Sequence, residues 1–202
     1  MHTNYDKLFS IDTSNHGIRS DQFKHYYQYE ATPYPHLYTL FAHFSLKSSD
    51  HLVDFGSGKG RLLFYTHYHF NCSVTGIEMN KFLYDLSIEN KSHYLANFPE
   101  KQQTFNIMHL QAEKYLIEQT ANVFYFFNPF SLHVFQTIIN QIVSSVHEHS
   151  RNVKIILYYP DDTYKQYLQN ETPFHKINEV KIPGISHINP KECFVIYRYQ
   201  HI

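Results

Sequence analysis

From residue 51 onward, short apolar runs alternate with stretches of helical period. Leu52, Val53 and Phe55 supply the bulk of a first strand. Leu62, Leu63, Tyr65 and Thr66 then predict a helix lying on a sheet. Ser73–Glu78 is a second strand, and Asn80 is placed to cap a helix over roughly Lys81–Leu95, whose Phe82, Leu83, Leu86 and Tyr94 have helical spacing. Phe105–Leu110 alternates as a strand does. Val123–Phe127 is a continuous apolar run, the pattern of a strand buried on both faces. Phe135, Ile138, Ile139, Ile142, Val143 and Val146 mark the core stripe of a helix over Leu132–His147. Val153–Tyr159 reads as a fifth strand and Asp161–Gln169 as a helix. Phe174–Ile182 and Cys193–Tyr199 read as two closing strands, with Pro183-Gly184 and Asn189-Pro190 punctuating the loop between them. Repeated strand–helix units followed by a strand pair predict an α/β, doubly wound sheet.

The first 35 residues have no sustained period. Asp21 to Tyr29 is expected to form a helical turn, ended by Pro33 and Pro35, which are read as excluding regular helix. His36–Phe44 is expected as a short helix with Leu37, Leu40, Phe41 and Phe44 on one face. The division expected is an N-terminal helical extension over 1–45 and the α/β domain over 46–202.

Composition narrows the classes. At 202 residues and 43% hydrophobic content, the chain builds one sizeable core. A net charge of −1 argues against a strongly basic nucleic-acid binder, while leaving open an RNA met through one face. Cys72 and Cys193 lie far apart and form no metal pattern, which suits a reducing cytoplasm. The N-terminus lacks the apolar run of a signal peptide, and no stretch reaches membrane-spanning length. The 16 histidines are scattered, and the pairs His67/His69 and His147/His149 are two apart, which turns their rings to different sides of a helix. No metal site is expected.

The candidate chemistry sits in Leu52–Arg61, LVDFGSGKGR. Three glycines alternate with Ser57 and Lys59 between a strand and a helix start, where backbone can turn sharply and approach a ligand. The dinucleotide fingerprint G-x-G-x-x-G fails, because Arg61 occupies the place of the third glycine. The P-loop fails too, because Lys59 is followed by Gly60. What remains is Asp-x-Gly-x-Gly-x-Gly, read as Asp54, Gly56, Gly58 and Gly60. Glu78 lies 20 residues past Gly58, at the tip of the second strand, where a carboxylate can accept ribose hydroxyls.

This pattern resembles motif I of the class I S-adenosylmethionine-dependent methyltransferases, with Rossmann-like fold. The resemblance covers residues 29–130 well and the last third only in pattern. It implies the strand order 3-2-1-4-5-7-6 for a seven-stranded sheet with a closing antiparallel strand. It implies S-adenosyl-L-methionine as cofactor, its amino-acid end on the turn with Asp54, Gly56, Ser57, Gly58 and Gly60. Glu78 and Met79 would lie at the ribose. Gln111, Ala112 or Glu113, after the third strand, would meet the adenine. Glu113 has an alternative reading, as an acid suited to the first turn of a helix.

Tyr29-x-x-Thr32-Pro33 is similar to a segment of bacterial relatives of the non-SET lysine methyltransferases. That makes Tyr29, Thr32 and Tyr34 lid candidates, the alternative being a proline-capped linker with packed aromatics. Asn128, Pro129 and Phe130 follow the fourth strand, the neighbour of the first across the reversal of strand order. They resemble the Asn/Asp-Pro-Pro-Tyr/Phe motif of amino-group methyltransferases, with one proline fewer. The alternative is a proline turn capped by a core Phe. The function expected is methyl transfer to an amine of a protein or small molecule. RNA or DNA adenine stands second, and a cofactor-binding or assembly protein without catalysis stands third.

Overall fold

The computed structural model of the chain describes residues 3–14, 29–101 and 103–201. The helical turn expected from Asp21 lies outside the described residues, apart from Tyr29.

One seven-stranded sheet runs in the order β3-β2-β1-β4-β5-β7-β6, the order the resemblance implies. Its strands are β1 (His51–Phe55), β2 (Ser73–Glu78), β3 (Phe105–His109), β4 (Val123–Phe126), β5 (Lys154–Tyr158), β6 (Phe174–Lys181) and β7 (Cys193–Tyr199). β1 pairs in parallel with β2 and β4, β2 with β3, and β4 with β5. β7 alone runs antiparallel, between β5 and β6. The helices are α1 (Tyr5–Phe9), α2 (Tyr34–His43), α3 (Arg61–Phe70), α4 (Lys81–Asn97), α5 (Leu132–Glu148) and α6 (Asp162–Glu171).

Side-chain alternation along the strands splits the core into two layers. Leu52, Val74, Tyr125 and Ile156 face one way, with α1, α2 and α3 packed over them. Val53, Phe55, Phe124, Phe126 and Leu157 face the other, against α5 and α6. The stripe on α5 is buried at Phe135, Ile138, Ile139, Ile142 and Val146. The same alternation turns Asp54 toward the first layer. There its sheet neighbours are Gly76 on β2 and Tyr125 on β4.

The N-terminal segment is part of this packing. Asn4 caps α1 through its side chain, and Phe9 is buried against Tyr68, Tyr94 and Phe98. α2 corrects one expectation. It begins at Tyr34, with Pro33 as N-cap and Pro35 inside the first turn. Amides of a first turn have no helical acceptor, so a proline there sacrifices nothing, and its fixed φ suits the helix.

Candidate active site

The C-terminal edge of the parallel strands carries one large cleft of about 630 Å3. β1 ends at Phe55 and the chain turns back through Gly56, Gly58 and Gly60, all at positive φ. The amides of Gly56 and Ser57 donate to the Ile77 carbonyl at 2.8 and 3.1 Å, which locks the turn to β2. Close approach sets two of the glycines. A Cβ on Gly76 would lie 2.5 Å from Leu63 and 2.7 Å from Ser57 Oγ, so only glycine lets the turn fold down onto β2. A Cβ on Gly58, at φ +54, would lie 2.2 Å from the Tyr29 ring, which rests on the bare Cα.

Two acids meet beneath and beside this turn. Asp54 is buried, and its carboxyl makes no hydrogen bond among the described residues. Burial, reinforced by the neighbouring Glu78, pushes its pKa up to about 8. Glu78 is held differently. Its Oε2 accepts from the Gly58 amide at 2.8 Å and its Oε1 from the Asn80 amide at 2.7 Å. Burial raises its pKa, and those backbone amides oppose the rise. Ser57 Oγ is buried without a partner among the described residues.

The opposite wall comes from the end of β4. Asn128 adopts the left-handed region at φ 42, an uncommon conformation for a residue with a Cβ. Tyr164 of α6 donates to the Phe130 carbonyl at 2.6 Å and stacks on Phe135 of α5, ring centroids 3.8 Å apart. This pins the Asn128–Phe130 corner from below. Pro129 lies within 3.0 Å of where a Cβ on Gly56 would stand, so the corner and the glycine turn abut.

Of the sequence-predicted site residues, the cleft is lined by Tyr29, Gly56, Gly58, Glu78, Met79, Ala112, Asn128, Pro129 and Phe130. Asp54 and Ser57 sit buried behind it, and Gly60 caps α3 with the Phe64 ring nearby. Gln111 is exposed and outside the lining, and Glu113 lies in a one-turn 3₁₀ helix, Ala112–Lys114. Thr32 is buried, its hydroxyl 2.7 Å from Tyr125 Oη, and Tyr34 hydrogen-bonds Asp6. Neither lines the cleft.

Sequence reasoning missed several residues. Leu83, Leu110 and Val134 line the cleft but read as ordinary core positions, and Glu30 reads as ordinary surface. Tyr159 lines it at φ 49, a left-handed tyrosine that no strand pattern announces. Lys59 and Arg61, read only as non-glycines, strap the N-terminal segment to the turn. Lys59 Nζ donates to the Ser14 carbonyl at 2.7 Å, and Arg61 donates to Thr13 Oγ1 at 2.7 Å and to its carbonyl at 3.0 Å. Asn90 of α4 closes the clamp, accepting from the Asp12 amide at 2.9 Å and donating to the Asp12 and Lys59 carbonyls.

A second, smaller cleft of about 330 Å3 adjoins the first and shares Glu30, Phe127 and Tyr159 with it. Its other walls are Ala31, Pro33, His36, Tyr158 and Glu192. Tyr158 Oη donates to Glu192 Oε2 at 2.8 Å and lies 2.7 Å from His36 Nδ1. Among the described residues no lysine or arginine lines either cleft. No group of three or more His, Cys, Asp or Glu side chains there is arranged to hold a metal, and no helix there is long and apolar enough to cross a membrane.

Comparison with solved structures finds this fold in many proteins. An RNA methyltransferase from Salinibacter ruber, in complex with S-adenosyl-L-homocysteine, matches with a TM-score of 0.56 at 17% identity, over 86% of this chain and 96% of that one. A protein of the NADB-Rossmann superfamily from Streptococcus agalactiae matches with a TM-score of 0.59 at 12% identity, over 86% of this chain and 71% of that one. An rRNA methylase from Streptococcus thermophilus matches with a TM-score of 0.54 at 13% identity, over 86% and 100%. At such identities the likeness is one of fold. No curated protein matches the sequence. The family described as histone methylation protein DOT1 matches residues 10–111, half of the chain. That segment holds the strapped N-terminal residues, the glycine turn and the tip of β2. The chain therefore belongs to the DOT1 family and is an S-adenosylmethionine-dependent class I methyltransferase.

Proposed function

We propose that the large cleft holds S-adenosyl-L-methionine across the tips of β1 and β2 and that the methyl goes to a nitrogen presented at Asn128. Asp54 is the counter-charge for the cofactor's ammonium, and the backbone of Gly56 and Gly58 borders its amino-acid end. Glu78, fixed by two amides, keeps lone pairs for the ribose hydroxyls. Met79, Leu83, Leu110 and Ala112 supply the apolar seat for the adenine. The fit is supported by a buried acid at the end of β1, a serine hydroxyl buried without a partner among the described residues, and glycines whose added Cβ atoms would strike neighbouring side chains. The cofactor supplies an electrophilic methyl on a sulfonium.

Asn128 and the backbone carbonyls of its corner accept hydrogen bonds from the target nitrogen, which orients its lone pair for in-line attack. Tyr29, resting on Gly58, is the lid residue, with Thr32 and Tyr34 as its supports. Residues 1–45 thus form a lid-bearing extension on the domain over 46–202. Two free, buried cysteines suit work in the cytoplasm.

The single observation carrying this reading is that Gly58, Glu78 and Asn128 border one cleft. Calorimetry tests it: S-adenosylhomocysteine should bind and NAD should not. Binding of NAD alone, or of neither, refutes it. Labelled cofactor incubated with cell extract then reports the acceptor, with protease or nuclease treatment removing one class at a time. Loss of label with nuclease would favour a second reading, RNA as acceptor, which the RNA methyltransferases among the solved structures of this fold motivate.

A further inference from the structure

The corner that carries Asn128 is held from a distance. Asn128 stands at φ 42, and such a conformation in a residue with a Cβ persists where the surroundings over-determine it. Its own segment supplies little of that constraint. Pro129 has no amide proton to donate, and Ser131, the N-cap of α5, makes no side-chain cap bond. Among the described residues, the one side chain that hydrogen-bonds the backbone of residues 128–130 is Tyr164, whose Oη donates to the Phe130 carbonyl at 2.6 Å.

Tyr164 is fixed in turn by its helix and by its ring. It stands in the first turn of α6, whose start is set by Asp161, the side chain of which accepts from the Thr163 amide at 2.8 Å. Its ring is buried and lies flat on Phe135, with centroids 3.8 Å and planes 7° apart. Phe135 meets Phe126, the last residue of β4, edge-on at 5.1 Å, and Phe126 stacks on Phe55, the last residue of β1, at 5.0 Å. A row of rings therefore runs from the strand that feeds the glycine turn, past the strand that feeds the Asn128 corner, to the hydroxyl that holds that corner. With the Phe130 carbonyl held and the φ of Pro129 set by its ring, few torsions are left through which Asn128 can swing. Tyr164 does not line the cleft, and it lies outside residues 10–111, which match the DOT1 family.

Resting on the methyl-transfer reading above, we propose that Tyr164 is a positioning residue of the transfer: its hydroxyl fixes the Phe130 carbonyl and, through that carbonyl, the Asn128 corner that orients the target nitrogen. In-line attack depends on this alignment, and a misplacement of about 1 Å can cost on the order of a hundredfold in rate. The cofactor end of the cleft is built without Tyr164, by the bond from the Gly58 amide to Glu78. Loss of the Tyr164 hydroxyl therefore slows transfer without loosening the cofactor.

The test compares Tyr164→Phe with Tyr167→Phe in the full chain. Each deletes one hydroxyl from α6, but Tyr167 donates to Asn140 Oδ1 at 3.0 Å and not to the corner. Thermal melting should move alike in the two. The rate is that of label passing from S-adenosyl-L-methionine into a fixed amount of cell extract. Tyr164→Phe should lower it at least about fivefold at saturating cofactor, with the KM for cofactor and the affinity for S-adenosylhomocysteine within about twofold. Tyr167→Phe should change none of these by more than about twofold. In an Asn128→Gly background, Tyr164→Phe should change the rate by less than about twofold, because the group it positions is gone. Relaxation dispersion on the chain saturated with S-adenosylhomocysteine reads the corner without any acceptor, and it decides alone if the extract takes up no label. The Asn128 amide should exchange on the microsecond-to-millisecond scale in Tyr164→Phe, and not in the wild type or in Tyr167→Phe. A wild-type rate in Tyr164→Phe overturns the proposal, as does an equal loss in Tyr167→Phe. So do losses that add in the double variant, or an Asn128 amide as quiet in Tyr164→Phe as in the wild type. If S-adenosylhomocysteine itself does not bind, the methyl-transfer reading falls and takes this one with it.

Discussion

Replacing Asp54 by asparagine isolates the role of the buried acid. In the free protein burial and Glu78 raise its pKa to about 8, so at pH 7 the carboxyl is about nine-tenths protonated. An ammonium placed beside it reverses the balance and drives the proton off. The cofactor's α-ammonium stands beside its own carboxylate, titrates well above a peptide's amino terminus and is charged at pH 7. Binding of S-adenosylhomocysteine at pH 7 should therefore release about 0.9 proton. Its affinity should rise roughly ninefold from pH 6 to pH 7 and level off above pH 8, where Asp54 is already ionised in the free protein.

Calorimetry in buffers of different ionisation enthalpy reads the released proton directly. Asp54→Asn should abolish both the release and the rise, and weaken binding. The same acid shapes stability. Its folded pKa lies above the unfolded value of 3.8, so the stability it permits is complete below that value. That stability is lost as pH rises toward 8, at about 1.4 kcal/mol per pH unit while the folded protein alone keeps the proton. The asparagine variant should lack this slope and melt higher than the wild type at pH 8. Binding without proton release, with the variant binding as the wild type does, would refute the reasoning.

Other perturbations follow from the same geometry. Gly58→Ala puts a Cβ in the left-handed region and against the Tyr29 ring. It should cost about 1–3 kcal/mol in denaturant melts and lower cofactor affinity, and Tyr29→Ala in the same chain should recover part of the loss. Asn128→Gly keeps the φ of 42 accessible while deleting the side chain. It should leave S-adenosylhomocysteine binding within about twofold and lower turnover at least tenfold, on the order of 1.4 kcal/mol of barrier. Arg61→Ala removes the donors to Thr13. It should speed proteolytic cleavage within residues 3–14 before the sheet domain is cut, and unchanged cleavage rates would show that the strap does not hold that segment.

The parts legible in the sequence are those governed by local rules. Glycine spacing, the acid ending β2 and the Asn-Pro-Phe corner each sit where a strand ends, and apolar runs or alternation mark the strands themselves. What stayed hidden depends on pieces brought together from far apart. Glu192 reaches Tyr158 only because β7 returns antiparallel beside β5, a pairing that apolar runs do not encode. Lys59 and Arg61 bond the backbone and side chain of residues 13 and 14, partners without a pattern of their own. Tyr159 takes a left-handed φ that composition assigns to glycine or asparagine. α2 starts earlier than the prolines suggest, because a first turn tolerates what a helix interior rejects.

A crystal structure with S-adenosylhomocysteine tests the central claim most directly. The ribose hydroxyls should lie on the Glu78 carboxylate, the ammonium toward Asp54, and the sulfur toward Asn128. A ribose bound away from Glu78, or a sulfur facing away from the Asn128 corner, would contradict it.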